Sequence, residues 1–286
     1  GSSVASVIFQ VAPKVSIIMF DVADLDRNGR YLGIDFSRVE SALQWIVDNM
    51  GQYDIDIISM SIGIDRKPSE LQDEIKTLYE KYGVNLFASA GNEDRNKYFY
   101  PASFDEVISV GGIFDDPDGF LTLASAGKFK TEYSGLRVTE SKYKEFRQEF
   151  EAIGSTYNDK LDFVAPMFDV EVLWFKRNGN QPGTDDVDVI SADGTSFSTP
   201  IAVGTAALAF HAYYERFEME PSPSLIYETL KQTAETYPSI QDTTSKPILN
   251  GKVYDVVYKS DYVGWGCVDA YDAVTYIIKM EESIIH

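Results

Sequence analysis

The sequence predicts an α/β fold, in which a mostly parallel β-sheet is covered by helices on both faces. Short apolar runs alternate with helical stripes over the first 125 residues, which is the order of strand–helix–strand units. The runs are mostly apolar, as is typical of strands buried on both faces. No internal repeat or low-complexity linker divides the chain, so residues 1–286 are expected to form a single domain.

The regular pattern begins with a strand and a helix. Val15–Phe20 is an apolar run broken by one serine, which favours a doubly buried strand. The next helix is predicted to begin near Ser37, which forms a capping box with Glu40, and to run to Met50 with apolar residues at helical spacing. Ile55–Met60 is the second predicted strand.

The second helix is expected to begin with Ser69 and Gln72 as caps and to stop at Gly83, because glycine readily ends a helix. Further apolar runs predict three more strands, at Val84–Ser89, Val107–Gly112 and Leu161–Ala165.

The segment 128–160 interrupts the pattern. It is dense in Lys, Glu, Arg and Tyr, which predicts a charged surface insertion with one helix near Ser141–Ala152. The remaining elements are a long helix after Ser196, a helix opened by Ser222-Pro223, a loop or hairpin within 237–262 and a last helix at Val268–Lys279.

Composition excludes some classes of partner. The net charge of −20 argues against a nucleic-acid partner, because little basic surface is available to neutralise phosphates. No apolar run reaches the ~18 residues of a membrane span. Cys267 is the single cysteine, which rules out an internal disulfide, and we expect a buried, inert thiol. The compartment stays open, since a secreted or cell-envelope location fits as well as any other.

One run places a serine directly ahead of a long apolar helix. Residues Gly194 to Pro200 read GTSFSTP, with Ser196 at the predicted helix start. Unpaired backbone N–H groups and the helix dipole favour negative charge at that position. Small neighbours let a substrate backbone approach closely. Serine and threonine are also ordinary helix caps, so this run alone leaves both interpretations open.

Three other runs carry possible chemistry. ASAGNE, 88–93, follows a predicted strand and offers the amide of Asn92, which can stabilise an oxyanion without titrating, or else a simple Gly-Asn turn. MSIG, 60–63, closes another strand, where an extended peptide can add through main-chain hydrogen bonds, or where the strand merely ends. YVGWGCVDA, 262–270, forms a glycine-bearing turn into the last helix.

Taken in order, the four runs resemble the signature segments of the subtilisin-like serine proteases, from residue 1 to about 277. The resemblance implies the subtilisin-like three-layer fold and a serine endopeptidase that forms an acyl-enzyme on Ser196. It implies an oxyanion hole built from the side chain of Asn92 and the N–H of Ser196. The family usually has Met where Phe197 stands and His where Ile201 stands, and neither change touches the nucleophile.

The same resemblance implies a substrate and its contacts. The substrate is a peptide or protein, and no cofactor is required. Aromatic bulk in the loop after Asn92 predicts a preference for small side chains before the scissile bond, unless the aromatic residues pack into the core. The residues implied to contact substrate are Ser61, Ile62, Gly63, Ala90, Gly91, Tyr98, Phe99 and Thr195.

Metal binding is expected to differ from the family. Typical subtilisins bind a structural calcium in a loop that corresponds to 5–13, but Val7–Gln10 offers no cluster of oxygen ligands there. We predict that this site is absent. A weaker calcium site near Asp115, Asp116 and Asp118 stays open, as does a plain polar turn.

The sequence departs from the family at the catalytic base. In the family an aspartate and a histidine precede the serine, whereas Gly1–Ala5 resembles the residues that follow that histidine. His211 lies fifteen residues after Ser196 on the same predicted helix, about 22 Å away at ~1.5 Å per residue. His286 ends the sequence, and Asp21 does not match the family aspartate.

We therefore expect the N-terminal part of the fold to be missing and the chain alone to be inactive. Residues outside the 286 are expected to supply Asp and His, on the same chain or a separate one. The alternative is a non-catalytic pseudoprotease that binds peptides or a protein partner in the retained groove. A flavodoxin-like nucleotide binder fails, because no glycine-rich phosphate loop follows the first strand.

Overall fold

A parallel four-stranded sheet with helices on both faces forms the centre of the molecule. This computed structural model describes residues 1–27, 31–93, 95–116, 120–123, 155–176, 186–236, 243–248, 252–257 and 259–280. The predicted subtilisin-like α/β class, with a mostly parallel sheet between helical layers, is confirmed.

Among the described residues, the first half of the chain contributes three helices and most of the sheet. In chain order its elements are α1 (Ser2–Val11), β1 (Ala23–Leu25), β2 (Tyr31–Ile34), α2 (Phe36–Tyr53), β3 (Ile57–Met60), α3 (Gln72–Lys76), β4 (Asn85–Ser89), β5 (Val107–Asp116) and β6 (Phe120–Leu123). A 3₁₀ turn precedes α3 and a π-helical turn follows it, so the helical segment runs from Ser69 to Lys81.

The second half adds one sheet strand, two hairpins and three helices. Its elements are β7 (Leu161–Pro166), β8 (Val170–Lys176), β9 (Asp186–Ala192), α4 (Thr195–Phe217), α5 (Pro223–Thr233), β10 (Thr243–Ile248), β11 (Lys252–Val257) and α6 (Ala270–Lys279). Strands β8 and β9 pair with each other, and so do β10 and β11.

The main sheet has the order β3-β4-β5-β7, with every neighbouring pair parallel. The distal half of β5 pairs in addition with antiparallel β6. Because the strands are parallel, the segments that follow β3, β4 and β7 emerge at one edge of the sheet. Sites in open α/β sheets form at this carboxyl edge.

Both faces of the sheet are buried, as the apolar strands predicted. Adjacent residues Leu86 and Phe87 point to opposite faces, and both are fully enclosed. Phe87 packs in the cluster of α1, α4 and α6, and Leu86 packs in the cluster of α2 and α3. At Gly204 a Cβ would lie 2.6 Å from the Cβ of Val11, so glycine is required where α4 crosses α1.

The predicted strand Val15–Phe20 is wrong. The segment has no regular secondary structure, and Ile18, Met19 and Phe20 are exposed. A strand requires a neighbour for its N–H and C=O groups, and in the described part of the chain none pairs with this segment. Apolar character alone therefore did not determine a strand.

The caps predicted at Ser37 and Ser69 are also wrong. Asp35, not Ser37, caps α2, and its carboxylate accepts bonds from the backbone N–H (3.0 Å) and the hydroxyl (2.6 Å) of Ser37. Ser69 lies inside its helical turn after Pro68 and makes no cap bond. In both cases the residue at the cap position lies upstream of the predicted one: Asp35 competes with Ser37 as a capping residue, whereas Pro68 makes no cap bond.

Later elements agree better with the pattern. Ser222 caps α5 as predicted, with its hydroxyl accepting from the N–H of Leu225 (3.3 Å), and 237–262 contains the β10–β11 hairpin. The last helix begins two residues late, at Ala270, because Asp269 caps it. Cys267 is buried, as expected.

The charged insertion is only partly visible. Residues 128–154, with the helix predicted at Ser141–Ala152, lie outside the described residues. Ser155, Thr156 and Asn158, at the end of the predicted insertion, are buried, and the bounds of the insertion stay a prediction. Among the helices that the structure describes, none is long and apolar enough to cross a membrane.

Candidate active site

Ser196 lies at the carboxyl edge of the sheet, as the second residue of α4. Gly194 turns the chain into the helix with a φ of +125°, a conformation that L side chains rarely adopt. Its N–H donates to the carbonyl of Met167 (2.7 Å), and the hydroxyl of Ser198 donates to the carbonyl of Pro166 (3.1 Å). The end of β7 therefore fixes the position of Ser196.

The side-chain amide of Asn92 is bound to the same turn. Its Oδ1 accepts from the N–H and from the hydroxyl of Thr195, both at 2.8 Å. The Thr195 oxygen in turn accepts from the N–H of Gly91 (3.3 Å), and Thr195 is 1% exposed. Because Oδ1 is occupied on the Thr195 side, Nδ2 remains the exposed donor of this amide.

Ser61 contacts Ser196 directly. Its hydroxyl donates to the carbonyl of Ser196 at 2.8 Å. In a helix this carbonyl would accept the N–H of residue 200, but residue 200 is Pro200, which has none. Ser61, at the end of β3, therefore replaces the helical bond that Pro200 removes.

Phe99 lies between the two glycine-bearing segments. A Cβ added at Gly63 would lie 3.0 Å from Phe99 Cδ1, and one at Gly91 would lie 3.0 Å from Cδ2. Two bonds of 2.9 Å between the backbones of Ile64 and Tyr100 hold the loops together beside the ring. The half-buried ring thus occupies the space between the strand ends.

The other residues implied to bind substrate have different surroundings. Tyr98 points away from Phe99 and donates its hydroxyl to Asp159 (2.7 Å), a bond that raises the pKa of this phenol. Ala90 is buried, and Ile62 packs beside the α2 cluster. The structure therefore brings together Ser196, Asn92, Thr195, Ser61, Gly63, Gly91 and Phe99.

An ionic cluster joins the two loops beside this pocket. Lys97 Nζ lies 3.1 Å from Asp65 Oδ2 and 3.1 Å from Glu93 Oε2, and Arg95 also bonds to Glu93. The bond from Lys97 lowers the pKa of Asp65. Burial opposes ionisation of Glu93, but its bonds to Arg95 and Lys97 outweigh burial and lower its pKa. Lys97 Nζ also lies 5.0 Å from the centre of the Phe99 ring.

A polar segment just before β7 supports the loop after Asn92, and sequence reasoning missed it. The N–H of Thr156 donates to the carbonyl of Gly91 (2.9 Å), and its Oγ1 accepts from the N–H of Glu93 (3.1 Å). The amide of Asn158 donates to the carbonyl of Lys97. Residues 155–158 form a short polar run that differs from the charged segment before it. This change in composition is the feature of the sequence that could have identified the supporting segment.

Asp193 precedes the turn at Gly194. Burial raises the pKa of its carboxyl, against a bond accepted from the N–H of Asp169 (2.9 Å). This carboxylate fixes the loop between β7 and β8. No contact between it and Ser196 was found in the described part of the chain.

No base reaches Ser196 within the residues that the structure describes. His211 is exposed on α4, well beyond hydrogen-bond reach, and His286 lies outside the described residues. Asp21 accepts a bond from the N–H of Ala23 (3.1 Å), and within the described residues no hydrogen bond joins it to Ser196. Asp118 and the side chains of Asp115 and Asp116 also lie outside, so calcium near them stays a prediction.

The geometry supplies two donors for a negatively charged oxygen. One is Nδ2 of Asn92, which the Thr195 bonds orient. The other is the N–H of Ser196, which lies in the first turn of α4, where a helix offers no acceptor. Donors fixed before reaction are the arrangement that stabilises the oxyanion of acyl transfer.

The sequence profile of the subtilase family matches residues 1–265 of this chain. Subtilisin DY of Bacillus licheniformis is 30% identical over 207 residues, which are 71% of this chain and 57% of that protein. The major intracellular serine protease of Bacillus subtilis (strain 168) is 30% identical over 230 residues, 77% of this chain and 54% of that protein. The chain thus spans little more than half the length of either relative.

Solved structures share the fold. A lanthipeptide protease superposes with a TM-score of 0.62 at 20% identity, covering 96% of this chain and 74% of the other. The self-cleaved protease domain of PatA gives a TM-score of 0.62 at 20% identity, covering 97% and 83%.

Proposed function

This chain belongs to the subtilase family of serine proteases, and we propose that it forms the nucleophile-bearing part of a serine endopeptidase. Ser196 would attack the carbonyl of a peptide bond and form an acyl-enzyme. Asn92 Nδ2 and the N–H of Ser196 would bind the oxyanion of the tetrahedral intermediate. No cofactor is needed for these steps.

One observation supports this proposal above the others. Asn92 and Ser196 lie about a hundred residues apart in sequence, yet two bonds to Thr195 fix the Asn92 amide beside the nucleophile turn. A turn formed by Gly91-Asn92 would not require this contact. The arrangement fits a preorganised oxyanion hole.

We propose that the base and its orienting carboxylate come from residues outside the 286. A serine hydroxyl is a poor nucleophile without a base in reach. In the described chain β3 pairs only with β4, and the buried Oγ of Ser59 has no bond. The exposed side chains of Ile18, Met19 and Phe20 add an uncovered apolar patch. These features fit a further strand beside β3 that would carry the missing groups.

The test is labelling of Ser196 by a fluorophosphonate probe. We expect the 286-residue chain to show neither labelling nor peptide hydrolysis. A segment that bears Asp-Ser/Thr-Gly and His-Gly, fused ahead of Gly1 or added as a separate chain, should restore both. The Ser196→Ala form of the complemented protein is the matched control and should show neither. Rapid labelling of the bare chain would mean that the base has been misplaced.

The second candidate function is a pseudoprotease that binds peptides or a protein partner in the groove. The half-buried Phe99 ring favours it, because the ring fills the space between Gly63 and Gly91 where a large side chain would enter. For the endopeptidase the same ring predicts cleavage after small residues. A complemented chain that stays inert with an intact Asp and His would establish the pseudoprotease.

A further inference from the structure

The β8–β9 hairpin leads directly into the turn before Ser196, and α1 covers one of its edges. The N–H of Leu173 donates to Ser6 Oγ (3.0 Å), and its carbonyl accepts from Ser3 Oγ (3.0 Å). The carbonyl of Glu171 accepts from Gln10 Nε2 (2.8 Å). Side chains of α1 thus satisfy the outer edge of β8 as a neighbouring strand would.

Among the described residues, the outer edge of β9 has no neighbouring strand. Leu173 faces Val189 across the hairpin. Since Leu173 directs both backbone groups to α1, this is a non-hydrogen-bonded pair, and the N–H and C=O of Val189 point away from β8. Because the direction alternates along a strand, the N–H and C=O groups of Val187 and Ser191 also point away from β8. Within the described residues no bond reaches these backbone groups.

The side chains at this edge are apolar and exposed. Val187 is 48%, Val189 64% and Leu173 39% exposed, and the three share one face of the hairpin. Natural proteins usually protect an exposed, apolar edge strand, because it pairs readily with another chain. Here the edge has no bulge, since every residue of the two strands is paired in register.

We propose that the outer edge of β9 binds an extended segment of the protein substrate as an added strand. The proposal rests on the proposed endopeptidase function and concerns the part of the substrate after the scissile bond. The resemblance to subtilases assigns substrate contacts to Ser61–Gly63, Ala90 and Gly91, and not to β9. Going backwards along the chain from Ser196, Asp193 and Ala192 connect the helix start to the end of β9.

The chemistry of the edge defines the segment that fits. At ~3.3 Å per residue, β9 offers an edge for five to six residues. Apolar side chains at alternate positions would contact Val187 and Val189. Basic residues would suit the positions between them, because Asp188 lies on the opposite face of β9 and the chain has a net charge of −20.

Binding can be measured without catalysis. The probe is a fluorescein-labelled peptide of about eight residues in which Val and Lys alternate, titrated with the Ser196→Ala chain by anisotropy. Val189→Pro removes an N–H that points outward and leaves the β8–β9 bonds intact. We expect it to weaken binding about tenfold or more. Val189→Thr keeps the N–H and the β-branch, and should weaken binding less than about threefold.

A second arm keeps the test decisive if Val189→Pro unfolds, as circular dichroism would show. A peptide N-methylated at alternate residues cannot donate to the β9 edge, so it should bind the unaltered chain about tenfold more weakly. Equal affinity for a folded Val189→Pro chain, or for the N-methylated peptide, would overturn the proposal. A dimer that Val189→Pro dissociates would also overturn it, because the occupant would be a second copy.

Cleavage by the complemented protein separates this inference from the proposed function. A Val-Lys tail after the scissile bond should raise kcat/KM about tenfold, and Val189→Pro should abolish that gain while short peptides are cleaved equally. Equal cleavage with and without the tail refutes the edge as a substrate site and leaves the protease. If the peptide binds but Ser196 is never labelled, the proposed endopeptidase function is refuted. The segment that binds β9 is then not part of a substrate, and this inference is refuted as well.

Discussion

Ser61 and Pro200 should be energetically coupled through the carbonyl of Ser196. Ser61→Ala removes the 2.8 Å hydroxyl bond and leaves that carbonyl without a partner. An orphaned acceptor costs about 1–3 kcal/mol when buried. Ser196 is half-buried, so water can partly replace the hydroxyl, and we expect a loss of about 1 kcal/mol of unfolding free energy.

Pro200→Ala supplies the missing N–H four residues after Ser196 and allows the normal helical bond. In that background the carbonyl no longer depends on Ser61, so Ser61→Ala should cost only a few tenths of a kcal/mol. The double-mutant cycle should therefore show a coupling of about 0.5–1 kcal/mol. This coupling is independent of any change that Pro200→Ala makes by itself.

Urea unfolding of the four proteins, followed by tryptophan fluorescence, measures the cycle, provided the slopes agree. Ser41→Ala is the matched control, because the Ser41 hydroxyl donates to a carbonyl of α2 that has an ordinary helical partner. It should change stability by less than about 0.5 kcal/mol and show no coupling to Pro200. Additivity of Ser61→Ala and Pro200→Ala within about 0.3 kcal/mol would refute this explanation of Pro200.

Three further predictions concern chemistry, specificity and pH. In the complemented protein Thr195→Val should lower kcat about tenfold with little change in KM, because the Asn92 amide loses one of its two orienting bonds; an unchanged kcat would contradict this. Phe99→Ala should shift cleavage toward Phe and Leu before the scissile bond in a peptide library, whereas wild-type protein that already prefers these residues would refute the pocket assignment. Burial keeps water away from the Asp56 carboxyl, and two neighbouring carboxylates repel its negative charge. Together these effects raise the pKa of Asp56 from 3.8 to about 6. The native state then binds more protons than the unfolded state in this interval, so stability should fall as pH rises from about 4 to about 6. Asp56→Asn should remove this dependence in urea titrations, and an unaltered slope would assign it to other groups.

Local chemistry in the sequence was enough to single out the candidate catalytic residues. Ser196 and Asn92 stand in short runs whose glycines and small residues set the turn, and a neighbouring apolar run marks each adjacent element. The strands at 57–60, 85–89 and 161–166 were predictable because their apolar residues face core on both sides. Such features depend on residues close together in the chain.

Helix α1 and the caps show where local patterns were insufficient. Ser2–Val11 forms a helix against α4, although the run showed no helical signal that we recognised. Asp35 and Ser37 are both competent caps, and the sequence does not rank them. Val15–Phe20 has strand-like composition but no neighbouring strand in the described chain. Each outcome depended on which partner the fold supplied.

The sequence by itself determined which groups could do chemistry, and the tertiary structure decided how those groups are held. Asn92 bonds to Thr195 across 103 residues, and Ser61 bonds to Ser196 across 135. Phe99 fills the pocket while adjacent Tyr98 turns to Asp159. A hydrogen-bond donor is defined by its residue type, but its acceptor is the group that packing places within about 3 Å. Packing is a property of the whole chain, so these partners could not be deduced from local sequence.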